Sequence, residues 1–384
     1  MMLLSGCGND KPKTSDASLA SKSVSSTESA SSDDSVIPSK NDYSKRTYNI
    51  VKILDHVKLD GRWEKTTTTS GEPCTTYDHT GQMIAFNADC KGDVSLKLNI
   101  RVSSTGGKDE QYFLIVVDGV DQPRAMLKCT PGKYQDITLT LAKGLKKGNH
   151  SFKVYRQTES YFAPANLVSI TMNGVPTKRP ADSDLYIEFL GDSITAGYGN
   201  LADNTEQIAY PRNSSGTDTY AFVAARELGA DFSAICRSGL ACSYGHSGLP
   251  IAYYWNKVSW SRGSDDYNFE RQPNVVVIEL GTNDYDYYDK QGIAYEDLYK
   301  HEMELIALVR KTCPNAKIVW VLGMMNPKAN DDCVKACEDS GGAAAGIYSF
   351  IGLRDTTGGG WHPSKDVGHA ETGKDLAAFI KTIL

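Results

Sequence analysis

The chain has 384 residues and a formal charge of −6, longer than one hydrophobic core ordinarily organises, so two domains are expected. Its 41 Lys and Arg are outnumbered by 47 Asp and Glu and form no basic stripe, which argues against a nucleic-acid partner. No segment carries the roughly 18 unbroken apolar residues of a membrane-spanning helix.

Residues 1–46 differ from the rest. MMLLSGC (1–7) is followed by a serine-rich stretch almost without large apolar side chains, which cannot bury enough surface to offset its ordering entropy. It reads as a disordered tether. Leu4-Ser5-Gly6-Cys7 resembles a bacterial lipobox, with Cys7 the lipidated residue. The basic and long apolar stretches of an export signal are missing upstream, so an earlier start is expected. Lipidation would place the protein outside the cell, on the bacterial surface, and Cys7 would be its only tie to a membrane; otherwise it is secreted. A monomer is expected.

From 47 to 175 the hydrophobic period is two. VSLKLNIRV (94–102) alternates apolar and polar residues, placing one face on a core and the other in water. QYFLIVVDG (111–119), YQDITLTLA (134–142), HSFKVYRQ (150–157) and LVSITMNG (167–174) continue the pattern between Gly, Asp and Lys-Gly turns. Short strands so spaced predict a β-sandwich or jelly roll.

A polar, Pro-containing linker, 176–184, precedes a change of pattern over 185–384. LYIEFLGDS (185–193), DFSAICRSG (231–239), PNVVVIELGTND (273–284) and AKIVWVLGMM (316–325) are short apolar strands. Helical patterns at 218–229, 295–312 and 371–383 alternate with them. The alternation predicts a doubly wound, three-layer α/β/α domain with a parallel sheet. The fold class is therefore α/β, a β-sandwich followed by a doubly wound domain.

In such sheets ligands bind where strand ends lead into loops. Three strands end in polar loops: Gly191-Asp192-Ser193, Arg237-Ser238-Gly239 and Gly281-Thr282-Asn283-Asp284. A serine hydroxyl attacks a carbonyl once a base takes its proton and donors meet the developing oxyanion. Ser193 offers the hydroxyl and a backbone N–H. Gly239 offers a second N–H, because a backbone without Cβ can approach a ligand closely, and Asn283 offers a side-chain NH2. The base is expected to be His362, in the loop before the last helix, since imidazole titrates near neutrality. His246 is the runner-up; His369 reads as structural, and His56, His79, His150 and His301 as ordinary core or surface residues. Ser193 is not in a G-x-S-x-G elbow, because Thr195 stands two residues after it.

The ordered blocks Gly191-Asp192-Ser193-Ile194-Thr195, Gly239, Gly281-Thr282-Asn283-Asp284 and His362-Pro363 resemble those of the SGNH, or GDSL, hydrolases. With a sandwich in front, the chain is similar to the second family of carbohydrate esterases, which remove acetyl groups from polysaccharides such as xylan and mannan. The resemblance implies Ser193 as nucleophile, His362 as base, and Ser193, Gly239 and Asn283 as oxyanion donors. It implies no metal or organic cofactor and an acetylated polysaccharide or oligosaccharide as the partner.

One departure concerns the acid two or three residues before the histidine that many members use to orient the imidazole. Those positions are Gly360 and Gly359, the nearest upstream acid is Asp355, and Asp366 follows by four. A Ser-His dyad oriented by a backbone carbonyl is the favoured reading, with Asp355 reaching the ring as the minority one. Asp192 and Asp284 read as loop braces. Among nearby aromatics, Trp361 and, more weakly, Tyr285 are candidate sugar contacts. Competing functions are a lipase, thioesterase or peptidoglycan O-acetyl esterase on the same scaffold, and a catalytically silent glycan-binding lipoprotein.

Setting Cys7 aside leaves eight of the nine cysteines; one or two disulfides are expected, with Cys74/Cys90 and Cys333/Cys337 as candidates and the rest buried thiols. No CxxC or His/Cys spacing suggests zinc.

Overall fold

The computed structural model describes residues 37–102, 108–159, 162–206, 210–243, 250–260, 266–292 and 296–384. Cys7 and His246 lie outside them. Residues 34–384 form one compact unit.

The first half is antiparallel. Ten strands hydrogen-bond into one sheet, built on two long members, Met83–Ile100 and Gln135–Arg156. These pair from Met83↔Tyr155 to Ile100↔Gln135, with bulges between Cys90 and Ser95. The turn expected between 142 and 150 is absent: the Lys-Gly run is absorbed by these bulges, where Gly92 pairs with Leu145 and Cys90 with Gly148. The first strand, Lys45–Asn49, pairs with Ala165–Pro176, so pairing starts two residues inside the stretch read as tether. The alternation of Val94, Leu96, Leu98 and Ile100 puts all four into a core with Phe86, Phe113 and Phe152.

The second half is a parallel five-stranded sheet in the order Asp231–Cys236, Tyr186–Gly191, Val275–Glu279, Lys317–Leu322, Ile347–Ile351. Its strands are apolar on both faces because both are covered. Ile187, Phe189, Val275 and Val277 pack with helices Tyr220–Glu227 and Ala370–Ile383. Leu190, Val276, Ile278 and Trp320 face helices Glu296–Thr312 and Asn330–Asp339. The last strand and the 330–339 helix do not stand out in the sequence, because both are short and partly polar. The strand order reverses between Tyr186–Gly191 and Val275–Glu279, and at this switch point the two carboxyl ends open a crevice.

The halves are joined through polar contacts, some of them fully buried. Arg62 pairs with Glu188 at 2.9 Å with both side chains buried, and it also donates to the Trp255 carbonyl. Lys58 sits among Asp60, Asp182 and Asp231 at 3.6, 3.7 and 2.5 Å, and Arg179 on Asp182 and Arg271 on Asp231 add two further cations, so that acidic trio is already paired with side-chain cations. Arg124 donates to the carbonyls of Pro211, Arg212 and Ser214.

The expected disulfides are not formed. Cys74, Cys90, Cys129, Cys236, Cys242, Cys313, Cys333 and Cys337 are free and buried. The sulfurs of Cys333 and Cys337 are engaged separately, by Glu302 Oε1 at 2.6 Å and the Tyr348 carbonyl at 3.7 Å.

Candidate active site

Strand Tyr186–Gly191 ends in Asp192, whose carboxylate accepts the Ile194 N–H at 2.8 Å and caps the turn Ser193–Ala196. The cap sets Ser193 at the head of that turn. Its Oγ lies 2.8 Å from His362 Nε2, although 169 residues separate the two. The other ring nitrogen, Nδ1, contacts the Gly360 carbonyl at 2.9 Å. A carbonyl only accepts, so Nδ1 carries the proton and Nε2 presents a lone pair to the serine hydroxyl. Burial lowers the His362 pKa below the ordinary 6.5, against the opposing pull of the Gly360 and Gly359 carbonyls. The ring is therefore neutral, and able to accept a proton, from mildly acidic pH upward.

Asp355 does not reach the imidazole. Its carboxylate accepts from the backbone N–H and hydroxyl of both Thr357 and Ser364, and from the Gly368 N–H at 2.9 Å. Burial opposes its ionisation, but the Ser364 and Thr357 hydrogen bonds outweigh that and hold its pKa at about 2. It ties together the loop that carries His362, and the minority reading of Asp355 as ring orienter is corrected accordingly. Its acceptor capacity is filled by five local donors.

A cavity of about 750 Å³ opens over the dyad, lined by Ser193, Gly239, Asn283 and His362 and also by Lys108, Phe162, Arg354 and Trp361. Among the described residues, neither the Ser193 nor the Gly239 N–H has an acceptor. Asn283 is differently placed: its amide donates at 2.9 Å both to Asp192 Oδ2 and to the Leu240 carbonyl. Both amide protons are thus spent on holding the neighbouring loops together. Asp284, buried beneath, accepts from the Cys242 and Ser243 N–H groups at 3.0 and 2.7 Å, as the brace expected of it.

The two aromatic candidates part company. Trp361 is 52% exposed and lines the cavity, in left-handed backbone at φ 62°, which is unfavourable for a bulky side chain. Tyr285 is buried, with its hydroxyl on Asp332 Oδ2 at 2.7 Å. It packs in the core behind the 282–291 helix, so its assignment as a sugar contact is corrected. His369 is buried too, and its Nδ1 accepts the Tyr220 N–H at 3.1 Å.

Sequence reasoning misses several contributors. Tyr198 packs on the His362 ring with centroids 4.9 Å apart. Phe162 and Lys108 bring the antiparallel half to the cavity wall, a proximity that no local pattern encodes. Glu279, one position of an apolar strand, is buried beside Asp192 and accepts from Thr195 Oγ1 at 3.2 Å. Burial raises the pKa of both acids. A charge inside an apolar run is the signal that could have found it.

Residues 189–349 match the model of the GDSL-like lipase/acylhydrolase family. Over that stretch the chain is similar to GDSL-like acylhydrolases. Outside it the similarity continues. The cellulase/esterase CelE of Acetivibrio thermocellus is 29% identical over 289 residues, 72% of this chain and 34% of that protein. This chain therefore spans about a third of CelE. An acetylxylan esterase/glucomannan deacetylase of Cellvibrio japonicus is 23% identical over 75% of this chain and 81% of its own length. Among solved structures, a family two carbohydrate esterase from Clostridium thermocellum in complex with cellohexaose superposes with a TM-score of 0.72. That match has 25% identity and covers 85% of this chain and 98% of that one. Each of these alignments covers more of the chain than residues 189–349 alone.

Proposed function

We propose that the protein is a serine esterase that removes O-acetyl groups from plant cell-wall polysaccharide such as xylan or glucomannan, without a cofactor. The observation that carries this reading is the 2.8 Å contact between Ser193 Oγ and a His362 Nε2 left unprotonated by the Gly360 carbonyl. The names borne by CelE and the Cellvibrio esterase point to the substrate class.

In this mechanism Ser193 Oγ attacks the acetyl carbonyl while its proton passes to His362 Nε2. The oxyanion meets the unoccupied Ser193 and Gly239 N–H groups; Asn283 joins them only by giving up its bond to Leu240 or Asp192. The C–O bond to the sugar then breaks, and His362 returns the proton to the departing hydroxyl. Water, deprotonated by the same nitrogen, attacks the acetyl-serine and releases acetate, restoring Ser193. Trp361 and Phe162 offer apolar surface for a sugar ring.

The proposed domain division is 47–175, 176–184 and 185–384, with the antiparallel strands wrapping into a jelly-roll sandwich. The strand bulges at Cys90 to Ser95 support such bending. An extracellular location, with Cys7 as a lipid anchor, completes the reading.

Ser193→Ala tests it. Release of p-nitrophenol from the acetate ester, and of acetate from acetylated xylan and glucomannan, should fall at least about 10³-fold with the melting temperature retained. A fully active variant removes Ser193 as nucleophile, and preference for long acyl esters would make the enzyme a lipase instead.

A further inference from the structure

The loop 237–243 carries the Gly239 N–H, and it is pinned at several points. Downstream, Asn283 Nδ2 donates to the Leu240 carbonyl at 2.9 Å and Asp284 receives the Cys242 and Ser243 N–H groups. Upstream, the pin comes from the other half of the molecule. Glu159 lies just beyond the long strand Gln135–Arg156 and is 4% exposed. Its Oε2 accepts the Ser238 N–H at 3.1 Å and the Ser238 hydroxyl at 3.0 Å. Both Ser238 and Gly239 face the cavity.

We propose that Glu159 is a positioning residue for ester hydrolysis: from the antiparallel half it fixes Ser238, and with it the peptide whose N–H belongs to Gly239 and points at the oxyanion. This deepens, and rests on, the esterase reading. The Gly239 N–H is part of the rigid Ser238–Gly239 peptide plane. Holding Ser238 by two bonds and the Leu240 carbonyl by a third leaves that plane little freedom to tilt. A donor aimed in advance costs no reorganisation as charge develops.

The carboxylate is kept there at a cost. Among the described residues Glu159 Oε1 has no hydrogen-bond partner, and burial raises the pKa of the group to about 7 against the Ser238 hydrogen bonds. A half-satisfied buried acid is an unfavourable choice for stability alone, whereas two bonds to one loop residue beside the oxyanion donor serve placement. The antiparallel half thereby contributes to catalysis as well as to the cavity wall.

The test compares Glu159→Ala, Glu159→Gln and Ser238→Ala with the wild type on p-nitrophenyl acetate, with melting temperatures measured in parallel. Glu159→Ala should lower kcat about 10–100-fold with KM within about twofold, because a displaced oxyanion donor is missed in the transition state and not in binding. Glu159→Gln should recover to within about threefold, since its amide oxygen accepts the same two donors. Ser238→Ala, which keeps the backbone bond and loses the hydroxyl one, should fall between, at about 3–10-fold; it also carries the test if Glu159→Ala fails to fold. An unchanged kcat in folded Glu159→Ala, or a Gln variant as impaired as the Ala variant, overturns the proposal. Ser193→Ala in the same assay separates the two levels: if it is inactive while Glu159→Ala is undiminished, only the positioning role falls, and if it is active the esterase reading fails itself.

Discussion

Replacing Gly199 by alanine should damage catalysis from six residues beyond the nucleophile. Gly199 has φ 69°, and a Cβ there would lie 2.3 Å from the Gly359 oxygen and 3.0 Å from its carbonyl carbon. The same two residues are joined by the Gly359 N–H to Gly199 carbonyl bond of 2.9 Å, so the methyl cannot be avoided by a side-chain rotation. Relief to ordinary contact requires the 359 backbone to withdraw by about 1 Å. The next residue, Gly360, supplies the carbonyl that orients His362, so the shift is passed to the Nε2–Oγ contact. A misplacement of about 1 Å in a reacting group costs ~10²-fold in rate. Stability should fall by about 2–5 kcal/mol, from ~1–2 for left-handed alanine and ~1–3 for overpacking.

Gly229→Ala is the control. Gly229 has φ 61°, but a methyl added to it would meet nothing within 4 Å, so it should lose only ~1–2 kcal/mol and keep its kcat. The assay is kcat and KM on p-nitrophenyl acetate with thermal melting of each variant. Gly199→Ala with kcat within twofold of wild type, and a melting loss no larger than that of Gly229→Ala, would refute the argument from close approach.

Two further outcomes follow from the site. The acid limb of kcat/KM against pH should have its midpoint below 6.5, because burial favours neutral His362: activity is present above that midpoint and lost as pH falls through it. A midpoint above 7 in a pH–rate profile would contradict the assigned environment. Asp355→Asn should keep kcat within about threefold while melting lower, since the loop loses a charged acceptor worth about 1–2 kcal/mol after allowance for screening. Because its folded pKa is depressed to about 2, that stabilisation is present above pH ~4 and fades as pH falls towards 2. A loss of ~10²-fold in kcat at unchanged melting temperature would instead make Asp355 the orienter of the imidazole.

Much of the molecule can be read from local pattern. Period-two alternation marks the core residues of the antiparallel half, and unbroken apolar runs between helical segments mark a sheet covered on both faces. The motif spacing picks out Ser193, Gly239, Asn283 and His362, and the structure brings all four to one cavity. With glycines at 359 and 360, no acid stands two or three residues before His362, and the Gly360 oxygen is what meets its Nδ1. These are properties carried by neighbouring residues along the chain. They are visible wherever burial repeats with the period of the backbone.

What the tertiary structure alone decided involves partners far apart in the chain. Tyr285 and Trp361 are both aromatic and both next to a motif, yet one turns its ring into the core and the other stands in the cavity, according to the helix and loop that bear them. The eight described cysteines are buried free thiols, and Cys333 and Cys337, one helical turn apart, contact different partners. Asn283 spends its amide protons on Asp192 and Leu240, and Glu159 reaches Ser238 across 79 positions. Hydrogen-bond commitment of this kind depends on distance and direction in three dimensions, which composition and spacing do not specify.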